Sequence, residues 1–240
     1  MPNEMGQDTD RLKLAAAESA VAQVRDGMIL GLGTGSTAAP AVKILGERVR
    51  QGLRVVGIPT SEHTAAQARA LGIPLSNLDE YPQLDMTIDG ADVVDEENLN
   101  LIKGRGGALL REKLVASATR RLVIVIDSSK LVSHMVVSEA IPVEVVPFGW
   151  QTTARRLSGL GARPELRLDP NGKPFVSDGG HYILDCPFEP LIPPESLARE
   201  LDHLVGVVEH GLFIGMTSEV HMAGADGVRV LKSQPAPHAG

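Results

Sequence analysis

LDMTIDGADVVDEENLNLIKGRGGALLREKL, residues 84–114, reads as a short apolar strand over Leu84–Ile88 that runs into acids at Asp89, Asp92 and Asp95. Lys103 follows, then the glycine-rich turn Gly104–Gly107, then a helix carrying Glu112. A strand ending in acids and a glycine loop opening a helix are the means by which open α/β sheets place chemistry at strand C-terminal ends. The glycines free backbone N–H groups to face an anion, and the following helix adds the positive end of its dipole. Carboxylates beside a lysine in such a crevice suit acid–base chemistry on a small, negatively charged molecule. A solvated helix behind a polar loop is the competing reading of this stretch alone.

The flanking sequence repeats the pattern. Met28–Leu32 is a short apolar strand, followed by GTGSTAAP and a helix carrying Val42, Leu45 and Val49. Pro40 fits the first turn, where its missing N–H matters least. The loop has no GK[ST] ending and is not a full GxGxxG fingerprint. Its amides and the hydroxyls of Thr34, Ser36 and Thr37, with Gly35 between them, suit a terminal phosphate. Leu53–Ile58 is the next strand and Glu62–Leu71 the next helix, with Ile73–Leu75 as a small edge strand. Leu122–Ile126 is the most apolar strand and ends in Asp127-Ser-Ser-Lys130. Alternating elements with nearly continuous apolar strands predict a Rossmann-like α/β fold with an open parallel sheet covered on both faces. Lys130 would face the same crevice as Lys103, and two lysines after two strands point to an anionic ligand.

Upstream, residues 1–8 read as a loose tail, and a helix capped near Thr9 carries Leu14, Ala17, Val21 and Val24 as far as Gly27. Lys13 then falls in a first turn, where the helix dipole disfavours it. Downstream the pattern changes. Pro142–Val146, Thr152–Leu160, Arg163–Leu168 with Pro174–Val176, His181–Asp185, Pro194–Leu204 and Val207–His210 follow as strand, helix, antiparallel strands, helix and strand. That is the split ferredoxin-like α+β order. It predicts a smaller domain at 139–207, with 9–138 and 208–232 forming the catalytic domain, Asp226-Gly227 as a hairpin turn, and 233–240 as a second loose tail.

Composition narrows the function. The chain of 240 residues is 43% hydrophobic with a formal charge of -7, which argues against a nucleic-acid surface. No apolar stretch reaches membrane-spanning length, and the N-terminus lacks the regions of a signal peptide. A single cysteine, Cys186, leaves no internal disulfide and suits a reducing cytoplasm. Aromatics at 3% disfavour a stacking platform. The seven histidines show no HExxH-type spacing, so neither a metal nor a cofactor is expected.

GLGTGSTA at 31–38, IPTS at 58–61, DGAD at 89–92, KGRGGALLREKLV at 103–115, DSSK at 127–130, PVEVVPF at 142–148 and GVVEHGLFIGM at 206–216 together resemble ribose-5-phosphate isomerase type A. The resemblance runs from about Lys13 to Leu231. It implies a metal-independent interconversion of D-ribose 5-phosphate and D-ribulose 5-phosphate in the pentose phosphate pathway, by a homodimer or homotetramer. It also implies Glu112 as general base, with Asp89, Asp92 and Lys103 in the catalytic set. Lys13, Thr34, Gly35, Ser36, Thr37, Gly90, Ala91, Gly104, Arg105, Gly106 and Lys130 are the implied substrate contacts. Val93 stands where the motif usually has Glu, Arg105 replaces a commoner Gly, and the segment between Asp92 and Lys103 is one residue longer than usual.

The chemistry agrees with the residues. Moving a carbonyl between C1 and C2 takes a proton from one carbon and returns it to the next through an enediolate, which one carboxylate beside both carbons can do. Lys103 and nearby amides suit the developing oxyanion, and Asp89 or Asp92 suits hydroxyl proton relay during ring opening. The rival readings are another sugar-phosphate enzyme of this architecture and a non-catalytic sugar-phosphate sensor. KGRGGALLREK argues against the first, and Glu112 with no added DNA-binding module argues against the second.

Overall fold

A computed structural model describes residues 2–135, 140–189 and 192–233, with side chains from Asp8 onward. The helix α1 (Pro2–Val21) is followed by β1 (Ile29–Leu32), α2 (Ala39–Arg50), β2 (Val56–Pro59), α3 (Glu62–Ala70), β3 (Met86–Gly90), β4 (Val93–Asp95), β5 (Leu101–Ile102), α4 (Leu109–Ser117) and β6 (Leu122–Asp127). The remaining elements are β7 (Leu131–Val132), β8 (Ile141–Val145), α5 (Trp150–Gly159), β9 (Glu165–Leu166), β10 (Tyr182–Cys186), α6 (Pro194–Asp202), β11 (Val207–His210), β12 (Leu212–Phe213), β13 (Glu219–Gly224) and β14 (Gly227–Lys232).

The large sheet has the order β14-β13-β6-β3-β1-β2 and is parallel except for β14, which returns antiparallel beside β13. β6 sits at its centre with all six residues buried, as its uninterrupted apolar run requires. On one face, α1 packs Ala16, Ala17, Ala20 and Val21 into the core, joined by Val24 just beyond its end, with Leu30, Val123 and Val125. Small residues at helical spacing let the helix lie close to the sheet. Helix α3 is started by Ser61, whose hydroxyl accepts from Thr64 N at 3.1 Å. From β1 the chain moves outward to β2, then returns to the other side of β1 as β3. The strand order therefore reverses between β1 and β3, where open α/β sheets bind ligands.

A second sheet of order β11-β8-β10-β9 is antiparallel throughout, with Leu157 of α5 and Leu197 and Leu201 of α6 in the same core as its strands. Its β-α-β-β-α-β sequence is the ferredoxin-like order. Cys186 lies wholly buried in that core as a small hydrophobe.

The structure corrects several expectations. Helix α1 begins at Pro2, so the supposed tail 2–8 forms its opening turns and Thr9 is internal rather than a cap. Pro2 suits an opening turn, and Asp8 pairs with Arg11 at 3.2 Å one turn on. Lys13 is consequently mid-helix, and the dipole argument for its placement does not hold. Ile73–Leu75 contributes only a single bridge, Leu75 to Gly57. The Arg163–Leu168 and Pro174–Val176 strands reduce to β9 and the isolated bridges Leu168–Pro174 and Val176–Tyr182. The expected boundary at 138/139 and most of the second tail, 234–240, lie outside the described residues.

In an unanticipated third sheet, β12-β5-β4-β7, the two central strands come from the segment after Asp92 and the outer two from Leu131–Val132 and Leu212–Phe213. Its β4–β5 turn contains Leu99 at φ 57°, in the left-handed region that costs an L-residue roughly 1–2 kcal/mol. Asp95 stabilises the turn by accepting from Glu97 N at 2.8 Å, and Leu99 buries its side chain in the core.

Candidate active site

The loops at the strand-order reversal open onto a cavity of about 390 Å³. Its wall includes Lys13, Thr34, Gly35, Ser36, Thr37, Gly90, Ala91, Asp92, Lys103, Gly104, Arg105, Gly106, Glu112 and Lys130, all anticipated from sequence. It also includes Thr9, Asp127 and Ser129, which the sequence reading missed. Thr9 stands four residues before Lys13 on α1, so helical spacing was the available signal. Asp127 is buried and holds the turn after β6 by accepting from Ser129 N at 3.0 Å.

One end of the cavity is built for acid–base work. Lys103 enters from β5 and is 3% exposed. Its ammonium lies 3.1 Å from Asp89 Oδ2 and 3.4 Å from Glu112 Oε2, and it donates to Gly90 O at 2.5 Å. Asp89, at the end of β3, is 1% exposed and does not line the cavity. Its Oδ1 accepts from Gly90 N at 2.7 Å and Thr34 N at 3.1 Å. Gly33 is required for this approach, because a Cβ there would fall 2.2 Å from Asp89 Oδ1. Asp92 is half-buried and accepts from Arg105 N at 2.9 Å, which ties the DGAD turn to the glycine loop.

Three charges share this small space, so they cannot all ionise freely. Burial raises the Asp89 carboxyl, opposed by Lys103 and the two backbone donors. Burial raises Glu112 to about 8, only partly offset by Lys103 and reinforced by the nearby Asp89 charge. Burial by itself would lower Lys103, but Asp89 and Glu112 hold it above the ordinary lysine range. Asp89 has three donors and Glu112 Oε2 has no hydrogen bond. The donors around Asp89 stabilise its charge beside Lys103 and leave Glu112 as the less stabilised carboxylate of the pair.

Elsewhere on the wall, Lys13, Ser36 and Thr37 gather at the loop before α2, a set that suits an anion. Lys13 reaches from α1 to donate to Ser36 Oγ at 3.0 Å, and Thr37 is buried at the head of α2. Thr34 lines the cavity while its hydroxyl is engaged on the side of α3. Its hydroxyl bonds Thr60 Oγ1 at 2.7 Å, Ser61 Oγ at 2.8 Å and Thr64 Oγ1 at 3.0 Å, so it anchors the loop to α3. Asp95 faces away from the site, accepting from Met135 N at 2.8 Å.

Comparison with known proteins bears on this arrangement. The family profile for ribose 5-phosphate isomerase A (phosphoriboisomerase A) matches residues 56–227. The chain is 57% identical over 230 residues, 96% of this chain and 100% of the relative, to ribose-5-phosphate isomerase A of Gloeobacter violaceus. Its fold superposes on ribose 5-phosphate isomerase A from Methanocaldococcus jannaschii with a TM-score of 0.89, at 40% identity and covering 93% of this chain and 99% of the other. A D-ribose-5-phosphate isomerase in complex with phospho-erythronic acid gives the same TM-score of 0.89 at 36% identity, covering 93% and 99%.

Proposed function

The chain belongs to the ribose 5-phosphate isomerase A family, and from that premise we propose how its residues interconvert D-ribose 5-phosphate and D-ribulose 5-phosphate. The phosphate sits in an anion cradle of Gly35, Ser36, Thr37, Lys13 and Lys130, with the positive end of α2 behind it. Carbons 1 and 2 then reach Glu112 and Lys103. A cavity of about 390 Å³ is of the size that encloses a small metabolite.

Glu112, deprotonated, takes the C2 proton of the open-chain aldose, and the C2–H electron pair forms the enediolate double bond. The same carboxyl returns the proton to C1, and C2 becomes the carbonyl. A hydroxyl proton passes from O2 to O1, so the carbonyl has moved with no net gain or loss of electrons. No redox cofactor is needed for that balance. Lys103 faces the oxygen on which charge develops, and the glycine-loop amides assist.

The two aspartates take different parts in this reading. Both oxygens of Asp89 are committed, to backbone N–H groups and to Lys103, so Asp89 holds the lysine. Asp92 lines the cavity and is half-exposed, so it relays the hydroxyl proton in ring opening. The observation that carries the mechanism is the buried Glu112 Oε2, unpaired except for Lys103, in the same cavity as an anion cradle. A coupled assay on ribose 5-phosphate, with Glu112→Gln beside the native protein, tests it.

The reading extends to a cytoplasmic homodimer or homotetramer, with no nucleic-acid partner. Among the described residues no helix is long and apolar enough to cross a membrane. Sedimentation equilibrium distinguishes the two assemblies from a monomer.

A further inference from the structure

We propose that Arg167, held by Asp185, is a positioning residue that sets the glycine loop Gly104–Gly107 in its working conformation from the antiparallel sheet. The proposal rests on the reading of Lys103 and Glu112 given above. Arg167 follows β9 and stands outside the cavity wall. Its Nη1 donates to Gly104 O at 2.9 Å and to Arg105 O at 3.1 Å. Its Nε and Nη2 donate to Asp185 Oδ2 at 2.9 Å and Oδ1 at 2.5 Å. One guanidinium thus joins a carboxylate on β10 to two consecutive carbonyls of the loop.

Phe175 completes the grip. The guanidinium lies 6.0 Å from the centre of its ring. The ring packs against Gly107, where a Cβ would fall 2.5 Å from it. Gly107 is thereby fixed as glycine by a side chain from the segment that links β9 to β10.

Within the loop Gly107 N donates to Gly104 O at 3.0 Å, and the grip of Arg167 adds an external hold to this turn. Gly104 and Gly107 have φ of 107° and 79°, and glycines have many alternative conformations of similar energy. A trans peptide directs its N–H opposite to its C=O. Gripping the carbonyls of Gly104 and Arg105 therefore turns the N–H groups of Arg105 and Gly106 away from Arg167. The first meets Asp92 at 2.9 Å, and the second belongs to a residue on the cavity wall. The fork also decides why this residue is arginine. A lysine ammonium can keep the ion pair with Asp185 but cannot span that carboxylate and both carbonyls in one plane.

On the proposed reading the phosphate contacts Lys13, Ser36 and Thr37 rather than the glycine loop, so loosening this loop is expected to affect the transition state more than substrate binding. The test compares Arg167→Lys and Arg167→Ala with native protein and Glu112→Gln. Melting and circular dichroism establish folding, and kcat and KM for ribose 5-phosphate are measured separately. Arg167→Lys is expected to fold, keep KM within about twofold and lose about tenfold in kcat, less than the loss of a whole oxyanion donor. Arg167→Ala should lose more and regain part of it with millimolar guanidinium but not with methylammonium. Native kcat in Arg167→Lys would reduce Arg167 to a plain ion pair and overturn the proposal. So would a loss expressed in KM alone, or no guanidinium rescue of a folded Arg167→Ala. If the Ala variant does not fold, the Lys variant decides. Full turnover in Glu112→Gln would overturn the base assignment instead, whatever Arg167 does.

Discussion

Glu112 Oε2 lies 3.4 Å from the Lys103 ammonium and accepts no hydrogen bond, although it is buried. Unpartnered buried carboxylate oxygens are costly, and here the cost is useful. A carboxyl with nothing but a shared lysine to stabilise its charge stays basic enough to take a proton from carbon. Asp89, with three donors, keeps the lysine charged and in place.

Glu112→Gln keeps the shape of the side chain and removes the base. We expect it to fold and bind ribose 5-phosphate while losing at least about 10²-fold in turnover. Near-native turnover in the coupled assay would remove Glu112 from its assigned role.

The pH dependence follows from the raised Glu112 carboxyl. The base works ionised, so kcat/KM should rise with pH through about 8. Stability should run the other way. The folded state holds this proton to about 8 and the unfolded chain releases it near 4.5, so the native state binds more protons between those values. Glu112's contribution is therefore fully present below 4.5 and is lost as pH rises to about 8. Melting curves should show Glu112→Gln gaining on the native protein across that window. A parallel pair of curves would contradict it.

Lys103→Met should be severe for folding as well as for activity. It leaves Asp89 and Glu112 buried together with no cation, and breaking a buried pair from one side costs about 3–5 kcal/mol. Chemical denaturation measures this directly. A variant as stable as the native protein would show that the carboxyls share a proton without help.

The cradle predicts a division among three hydroxyls. Ser36→Ala with Thr37→Ala should raise KM for ribose 5-phosphate and leave the poor use of unphosphorylated ribose unchanged. Thr34→Ala should act mainly on stability, by about 1–3 kcal/mol, because its hydroxyl holds three others. An unaltered KM in the double variant would move the phosphate elsewhere in the cavity.

Exhaustive dialysis against a chelator should leave activity intact. Asp89, Asp92 and Asp95 are committed to Lys103 or to backbone N–H groups in three directions. Among the described residues the one group of clustered ligand atoms is Asp202, Glu209 and His210. There the Lys113 ammonium already donates to Glu209 at 2.6 Å. Activity lost to chelator and restored by a divalent ion would overturn the metal-free mechanism.

The sequence by itself determined the architecture and most of the cavity wall, because those rest on local rules. A short β-branched apolar run such as Leu122–Ile126, set between helical stretches, reads as a buried parallel strand, and glycine loops before helices read as anion-facing turns. The seven motifs, taken together, carried the family. Only the tertiary structure decided how the groups divide their work. Asp89 and Asp92 are alike in DGAD, yet one is sealed against Lys103 and the other opens on the cavity. Thr34 lies in the glycine loop, and only the fold brings Thr60, Ser61 and Thr64 to its hydroxyl. Arg167 is 62 residues from Arg105, whose carbonyl it grips. The physical reason is the same in each case: periodicity and turn chemistry act over a few residues, whereas the partner that fixes a side chain's charge or direction arrives from a distant segment.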